Sequence, residues 1–252
     1  MNPCDVSSAV NLLLEARRTS VRPAGLPAPA QPATWADAYA IQDEVTRRIG
    51  DPVGWKVGAA TPEADPFRAA LTADTLFDGE TSIAATHFNV IGVEAELVYR
   101  FNSALPRRRQ PYDIDEVISV IGSIHAAIEI VDTRYAVWGS TDRLSQIADQ
   151  VNHGALIVGS GRTDWRAVDP VSQPVTLRIN GKPAFQTMGG NSAGDPLRML
   201  VWLANTGACS LGGIKAGDRI TTGSCTGTIF VDEPCRITAD FPGVGQAVLD
   251  IA

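Results

Sequence analysis

The stretch Val93-Glu94-Ala95-Glu96-Leu97-Val98-Tyr99 constrains this chain more than any other. It is apolar, yet it carries two carboxylates two positions apart. In a strand, residues two apart share a face, so Glu94 and Glu96 point one way while Val93, Ala95 and Leu97 point the other. Two like charges on one face repel, and burial makes ionisation of each costly. A fold that buries this strand must therefore supply positive charge to one face of it, and a divalent cation does so. Further along, Ala127-Ile128-Glu129-Ile130-Val131-Asp132 again sets a carboxylate inside an apolar run. Three carboxylates from two strands suit a hard, oxygen-seeking ion such as Mg2+. On spacing alone, two other readings stand beside this one. Glu-x-Glu also occurs on solvated strand faces, and a buried Glu129 also suits a salt bridge, for which Arg134 is the nearest partner in sequence.

At 252 residues the chain has room for one large domain or two smaller ones. Its 21 basic residues against 28 acidic ones, a net charge of −7, argue against a nucleic-acid partner, which calls for a basic face. No apolar run approaches the length of a membrane span. The start, Met1-Asn2-Pro3-Cys4-Asp5, lacks the basic-then-apolar pattern of a signal peptide. The expectation is a cytoplasmic protein with no membrane partner. Cys4, Cys209, Cys225 and Cys235 contain no Cys-x-x-Cys pair and read as reduced thiols, not as a disulfide framework or a zinc site.

Residues 6–18 have the pattern of a short amphipathic helix, and Thr34 is placed to cap a second helix running to Arg48. Gly54-Trp55-Lys56-Val57-Gly58 reads as a short strand. Lys56 within it is either a surface residue of a sheet edge or a partly desolvated amine suited to acid–base chemistry. Residues 59–80, which include Asp65, Asp74 and Asp78, form an irregular connection of the length typical of lids. Asp113 and Glu116 mark a helix start, with the helix expected to reach about Ser123. His87, His125 and His153 read as surface or hydrogen-bonded side chains. Asn180-Gly181 signals a β-hairpin, and Asp195-Pro196 opens a helix whose residues through Asn205 are apolar nearly all round. Gly223-Ser224-Cys225-Thr226-Gly227 lacks the Gly-Lys-Ser/Thr ending of a phosphate loop, but its hydroxyls and amides suit a small carboxylate. Strands and helices mix without regular alternation, so the fold class is α+β with a large mixed or antiparallel sheet.

Several segments, taken in order, resemble the 2-keto-4-pentenoate hydratase branch of the fumarylacetoacetate hydrolase superfamily. They are Ala38-Tyr39-Ala40-Ile41-Gln42, Gly54-Trp55-Lys56-Val57-Gly58, Val93 to Leu97, Ala127 to Asp132, Gly194-Asp195-Pro196-Leu197 with Trp202-Leu203-Ala204-Asn205, and Lys215-Ala216-Gly217-Asp218 before Thr222-Gly223-Ser224. The resemblance spans nearly the whole chain. It implies a mixed β-sandwich or β-roll, here divided as an N-terminal helical segment and lid (1–80) and a metal-binding sheet domain (81–252). It implies Mg2+ or Mn2+ on Glu94, Glu96 and Glu129, acid–base chemistry at Lys56, and homo-oligomers. The implied activity is hydration of a small 2-hydroxy-2,4-dienoate (2-oxo acid) substrate, as in meta-cleavage degradation of aromatics. Related alternatives are an oxalocrotonate-type decarboxylase, a carbon–carbon hydrolase, and a non-catalytic relative that binds keto acids. The hydrolase branch uses a histidine near its lid, and here no histidine precedes His87. One departure concerns the aspartate that assists the family lysine, because its position falls at Thr72. Asp74 is the candidate replacement. Arg134 and the Thr222-Gly223-Ser224 segment are the candidates for holding the substrate carboxylate.

Overall fold

Strand alternation around the two-glutamate run organises the molecule, a computed structural model of which describes residues 1–19 and 21–252. The N-terminal part is helical. Helix α1 (Pro3–Arg18) starts at Asn2, whose side chain accepts from the Asp5 amide, and α2 (Trp35–Ile49) starts at a capping box formed by Thr34 and Asp37. Both helices end in paired arginines, which suit the negative end of the helix dipole. Strands β1 (Gly54–Gly58), β2 (Phe67–Leu71), β3 (Leu76–Asp78) and β4 (Thr81–Ile83) follow. The long β5 (Gly92–Phe101) holds Glu94 and Glu96, and the short β6 (Leu105–Pro106) leads to α3 (Ile114–Ser119). Then come β7 (Ile121–Val131), α4 (Arg143–Ala148), β8 (His153–Arg162), the hairpin of β9 (Pro174–Ile179) and β10 (Lys182–Met188), and α5 (Pro196–Trp202). The chain closes with β11 (Gly213–Ile214), β12 (Arg219–Ser224), β13 (Ile229–Phe230), β14 (Cys235–Phe241) and β15 (Gly245–Ile251).

The larger sheet has the order β2-β1-β12-β5-β7-β8-β3, with β13 also paired to β5; the second has the order β10-β9-β14-β15-β4. Pairing is mostly antiparallel, but β1–β12, β3–β8 and β15–β4 are parallel. The two sheets face each other across one core. Val93, Ala95, Leu97, Tyr99 and Phe101 of β5 enter it, as do Ile124, Ala126, Ile128 and Ile130 of β7; Leu177, Ile237, Ala239 and Leu249 meet them from the second sheet. The other face of the larger sheet carries Lys56, Glu94, Glu96 and Glu129. It lies under the helices, where Ala38, Ala69, Ile147 and Val151 pack together and α1 packs on α2 through Leu13, Ile41 and Val45. Buried Arg68 of β2 fastens α2 to the sheet by pairing with Asp43 at 2.6 Å.

The α+β class and the two-sheet sandwich are those implied by the sequence. Two local expectations change. Residues 54–78, grouped above with the helical segment and lid, supply three strands of the larger sheet, and β1 lies between β2 and β12, so Lys56 is not on an edge. The helix opened by Asp113 ends at Ser119 instead of about Ser123, because Ile121 and Ser123 pair with Phe101 and Arg100 of β5 and Ile124 fills the core.

The sheets come close at Gly159 of β8. A Cβ there would lie 2.1 Å from the Gln246 carbonyl oxygen and 2.6 Å from the Ala247 Cα, both backbone atoms of β15. Gly159→Ala must push the sheets apart and is expected to cost about 1–3 kcal/mol, the usual range for overpacking. Denaturant unfolding checks this, and a midpoint equal to wild type would show that the sheets yield without cost.

Candidate metal centre

Glu94 and Glu129 are direct cross-strand partners on β5 and β7, and Glu96 follows two residues on along the same face. Ligand oxygens of all three lie within 4.8 Å of one another. Glu96 and Glu129 are each 1% exposed, and Glu94 is half-buried. Two departures from regular pairing complete the arrangement. In β12 the register slips between Thr221 and Ser224, with Gly223 at φ +98°. The resulting bulge lets both the Thr221 hydroxyl and the Gly223 amide donate to Glu96 Oε2. In β8 the register slips beside His153, which pairs with Val131 while Ala155 pairs with Ile130. Without that slip, alternation would turn His153 toward the core with Ala155 and Ile157. With it, His153 reaches Glu129.

Glu129 is the hub. Its Oε1 accepts from Lys56 Nζ at 2.6 Å and from His153 Nδ1 at 2.9 Å. His153 Nε2 is 3.0 Å from the Thr75 hydroxyl. Burial holds His153 below its ordinary pKa, so the ring is neutral. A carboxylate only accepts, so Nδ1 carries the proton and Nε2 accepts from Thr75. Burial pushes Glu129 up, but Lys56 and then His153 outweigh that and hold its carboxyl below the usual value. Burial and the neighbouring Glu129 push Glu94 up. Burial, Glu129 and Glu94 push Glu96 well above the ordinary range. Glu129 Oε2 is buried without a hydrogen-bond partner among the described residues. An orphaned carboxylate oxygen beside two carboxylates that resist ionisation fits a bound cation. Three carboxylates against one lysine leave two negative charges, the charge of one divalent ion. The set can hold a metal ion.

The site opens into a cavity of about 320 Å3 lined by Lys56, the three glutamates, Trp138 and Arg143, and also by Gly223 and Ser224. Of the residues expected from sequence, Lys56, Glu94, Glu96, Glu129, Gly223 and Ser224 meet here. Three others do not. The Thr222 hydroxyl faces away, 3.4 Å from the Leu97 carbonyl oxygen. Asp74 is exposed, accepts from the Thr72 hydroxyl at 2.5 Å, and lines a different cavity. Arg134 is buried in that neighbouring wall and is not the ion-pair partner of Glu129. Its Nε pairs with Asp149 at 2.6 Å, and it donates to the His153 carbonyl at 2.6 Å and the Asp149 carbonyl at 3.0 Å. Its work is to shape the turn between Asp149 and His153. There Gln150, Val151 and Asn152 all take positive φ (50°, 53° and 57°), and the Val151 carbonyl accepts from Lys56 Nζ at 3.2 Å. His153, expected to be a surface or hydrogen-bonded side chain, is buried and hydrogen-bonded to Glu129, while Thr75, Thr221 and Arg143 were not singled out from the sequence.

No family model matches the chain. The 2-keto-4-pentenoate hydratase of Paraburkholderia xenovorans is 27% identical to it over 221 residues, covering 83% of this chain and 81% of that one. The 4-oxalocrotonate decarboxylase of Pseudomonas putida is 27% identical over 230 residues, covering 84% of each. In sequence the chain is thus similar to both a hydratase and a decarboxylase of keto-acid metabolism, as the resemblance read from its motifs implied. Its fold matches a solved 4-oxalocrotonate decarboxylase from Pseudomonas putida G7, complexed with magnesium and adipate, at a TM-score of 0.84 and 24% identity, over 98% of both chains. No helix among the described residues is long and apolar enough to cross a membrane.

The raised carboxyls make a pH prediction for the metal-free protein. A folded-state pKa above 4.5 means that the native state keeps protons the unfolded chain releases. Stability contributed by Glu96 is therefore present at low pH and lost as pH rises from 4.5 through the folded-state value. In EDTA, the melting temperature of wild type relative to Glu96→Gln is expected to fall as pH rises above 4.5, and Mg2+ should abolish that fall. Parallel pH profiles for the two proteins would refute the assignment.

Proposed function

We propose that this protein is a divalent-metal-dependent hydratase that adds water to a 2-hydroxy-2,4-dienoate to give a 4-hydroxy-2-oxo acid. The observation that carries this reading is the Glu94–Glu96–Glu129 set, with an orphaned Glu129 oxygen and Lys56 at its side, in a chain similar to 2-keto-4-pentenoate hydratases. The three glutamates are the proposed ligands of Mg2+ or Mn2+. When bound, the metal supplies positive charge against negative charge developing on the 2-oxygen of the substrate. Everything else falls to the chain. Glu129 Oε1 and the Val151 carbonyl hold the Lys56 amine at the cavity floor, within reach of a substrate seated against the glutamates. In the first half of the reaction the 2-hydroxyl gives up its proton and C5 gains one, so that the dienol becomes a 2-oxo-3-enoate. In the second half, hydroxide from water adds at C4 and a proton at C3. Lys56 is the proposed carrier of protons in these transfers. Ser224, on the opposite wall, is the proposed contact for the substrate carboxylate.

A second reading, decarboxylation of an oxalocrotonate-type diacid, uses the same site. Arg143 favours it. Its guanidinium stacks 4.2 Å over the Phe67 ring, forms no ion pair among the described residues, and lines the cavity, where it would meet a distal carboxylate. Product analysis with a 2-hydroxydienoate and with an oxalocrotonate, each with and without Mg2+, separates the two. Hydration of the first without release of carbon dioxide from the second supports the hydratase.

Lys56→Met should lower kcat by about 100- to 10,000-fold, the usual contribution of a general acid–base group. Asp74→Asn, outside the cavity, should leave kcat near wild type. Near-normal turnover in Lys56→Met would remove the lysine from the mechanism, and a large loss in Asp74→Asn would restore the aspartate to it. Wild type should melt higher in excess Mg2+ than in EDTA, because a ligand of the folded state alone stabilises it. Glu129→Gln should abolish the difference.

A further inference from the structure

On the far side of the Asp149–His153 turn lies a second cavity, about 460 Å3 in volume, against about 320 Å3 for the metal cavity. Its lining is strongly cationic in a chain of net charge −7. Most of its charges are already paired. Arg134 is paired with Asp149, Arg18 with Glu15 at 2.7 Å, and Arg48 with Glu44 at 2.9 Å. The Asp132 carboxylate accepts from the Asn89 and Val90 amides, each at 3.0 Å. Asp74 accepts from the Thr72 hydroxyl.

Two arginines remain. Arg17 donates to the Gln150 side-chain oxygen and Arg22 to the Ala16 carbonyl at 2.8 Å, and neither forms an ion pair among the described residues. The Arg17 Nε is buried with no acceptor among those residues. Burial, and next the Arg134 charge, lower the Arg17 guanidinium to about 10, which leaves it protonated at neutral pH. Asp149, Asp74 and Asp132 lie near enough to act on the Arg17 charge, but none bonds to it, and a half-buried cation hydrogen-bonded only to a neutral group suits a bound anion. Beside Thr75 and His87 the wall has an apolar part, made by Leu14, Ile49 and Phe88. An inorganic anion would leave that part unmatched. The volume lies within the range of small-molecule sites.

We infer that this cavity is a second binding site, separate from the metal centre, for an organic carboxylate whose head meets Arg17 and Arg22 and whose hydrocarbon body packs on Leu14, Ile49 and Phe88. The two sites share a wall. Arg17 holds Gln150, whose neighbour Val151 holds Lys56, and Thr75 faces this cavity while its hydroxyl meets His153.

The test is calorimetric titration of metal-free full-length protein with hexanoate, acetate and inorganic phosphate. Hexanoate should bind saturably at one site per chain, about tenfold or more tighter than acetate or phosphate. Arg17→Gln should weaken hexanoate by a similar factor. Arg22→Gln should do the same, and it serves alone if Arg17→Gln fails to fold. Arg162→Gln, at a half-buried arginine at the far end of β8 that pairs with Asp164, should match wild type. Absence of saturation would overturn the assignment, as would equal affinity for phosphate and hexanoate or unchanged hexanoate binding in Arg22→Gln. Loss of hexanoate binding in Glu94→Gln would place the ligand at the metal centre and overturn it as well. Because no metal is present, the result is independent of the hydratase reading.

Discussion

The structure turns on burying three carboxylates within 4.8 Å of one another on one face of a sheet. Electrostatic repulsion and desolvation both oppose this. Within the chain, Lys56 and the neutral His153 answer for one of the three, Glu129, by occupying the same oxygen of it. The Thr221 and Thr228 hydroxyls and the Gly223 amide bond to Glu96 and Glu94 but bring no charge. The protein thus carries its own compensation for one charge of the three and leaves two negative charges and one bare oxygen. By that arithmetic, a cation held there would add to the stability of the site.

Lys56 owes its place to a second buried charge pair. Arg134 and Asp149 clamp the ends of a turn whose three central residues, one of them β-branched, sit in the left-handed region. The turn is held by hydrogen bonds from both sides: Arg134 to the backbone of Asp149 and His153, and Arg17 to the Gln150 side chain. Such backbone persists only where its surroundings over-determine it. What it provides is a carbonyl oxygen, that of Val151, aimed at the amine, and a histidine turned toward Glu129. An arginine that sequence reading assigned to the substrate therefore contributes one step removed, through the wall between the two cavities.

The helical layer has a matching role. It covers the carboxylate face of the larger sheet, so that Glu96 and Glu129 are almost wholly removed from water while Glu94 stays half-buried at the cavity. The core between the sheets needs nothing from this face. Val93, Ala95 and Leu97 pack regardless of what Glu94 and Glu96 do. Stability of the sandwich and chemistry of the site are thus divided between the two faces of the same strands, a division that period-two alternation makes possible.

That alternation is also why so much could be read from the chain alone. The two-glutamate strand, the Glu129 strand, the caps at Thr34, Asp113 and Asp195 and the Asn180-Gly181 hairpin are local patterns, set by side-chain periodicity and by hydrogen bonds within a few residues. They determined the fold class, the faces of the strands and the placing of three carboxylates on two apolar strands. What they could not determine is register between distant segments. The bulges at Gly223 and beside His153, the insertion of β1 between β2 and β12, and the pairing of Arg134 with Asp149 instead of Glu129 all follow from which strand lies beside which. A shift of one residue reverses the face a side chain occupies. Which residues surround Lys56, and which face the second cavity, was therefore decided only when the sheets closed, because those contacts join residues far apart in the chain and leave no local signal in it.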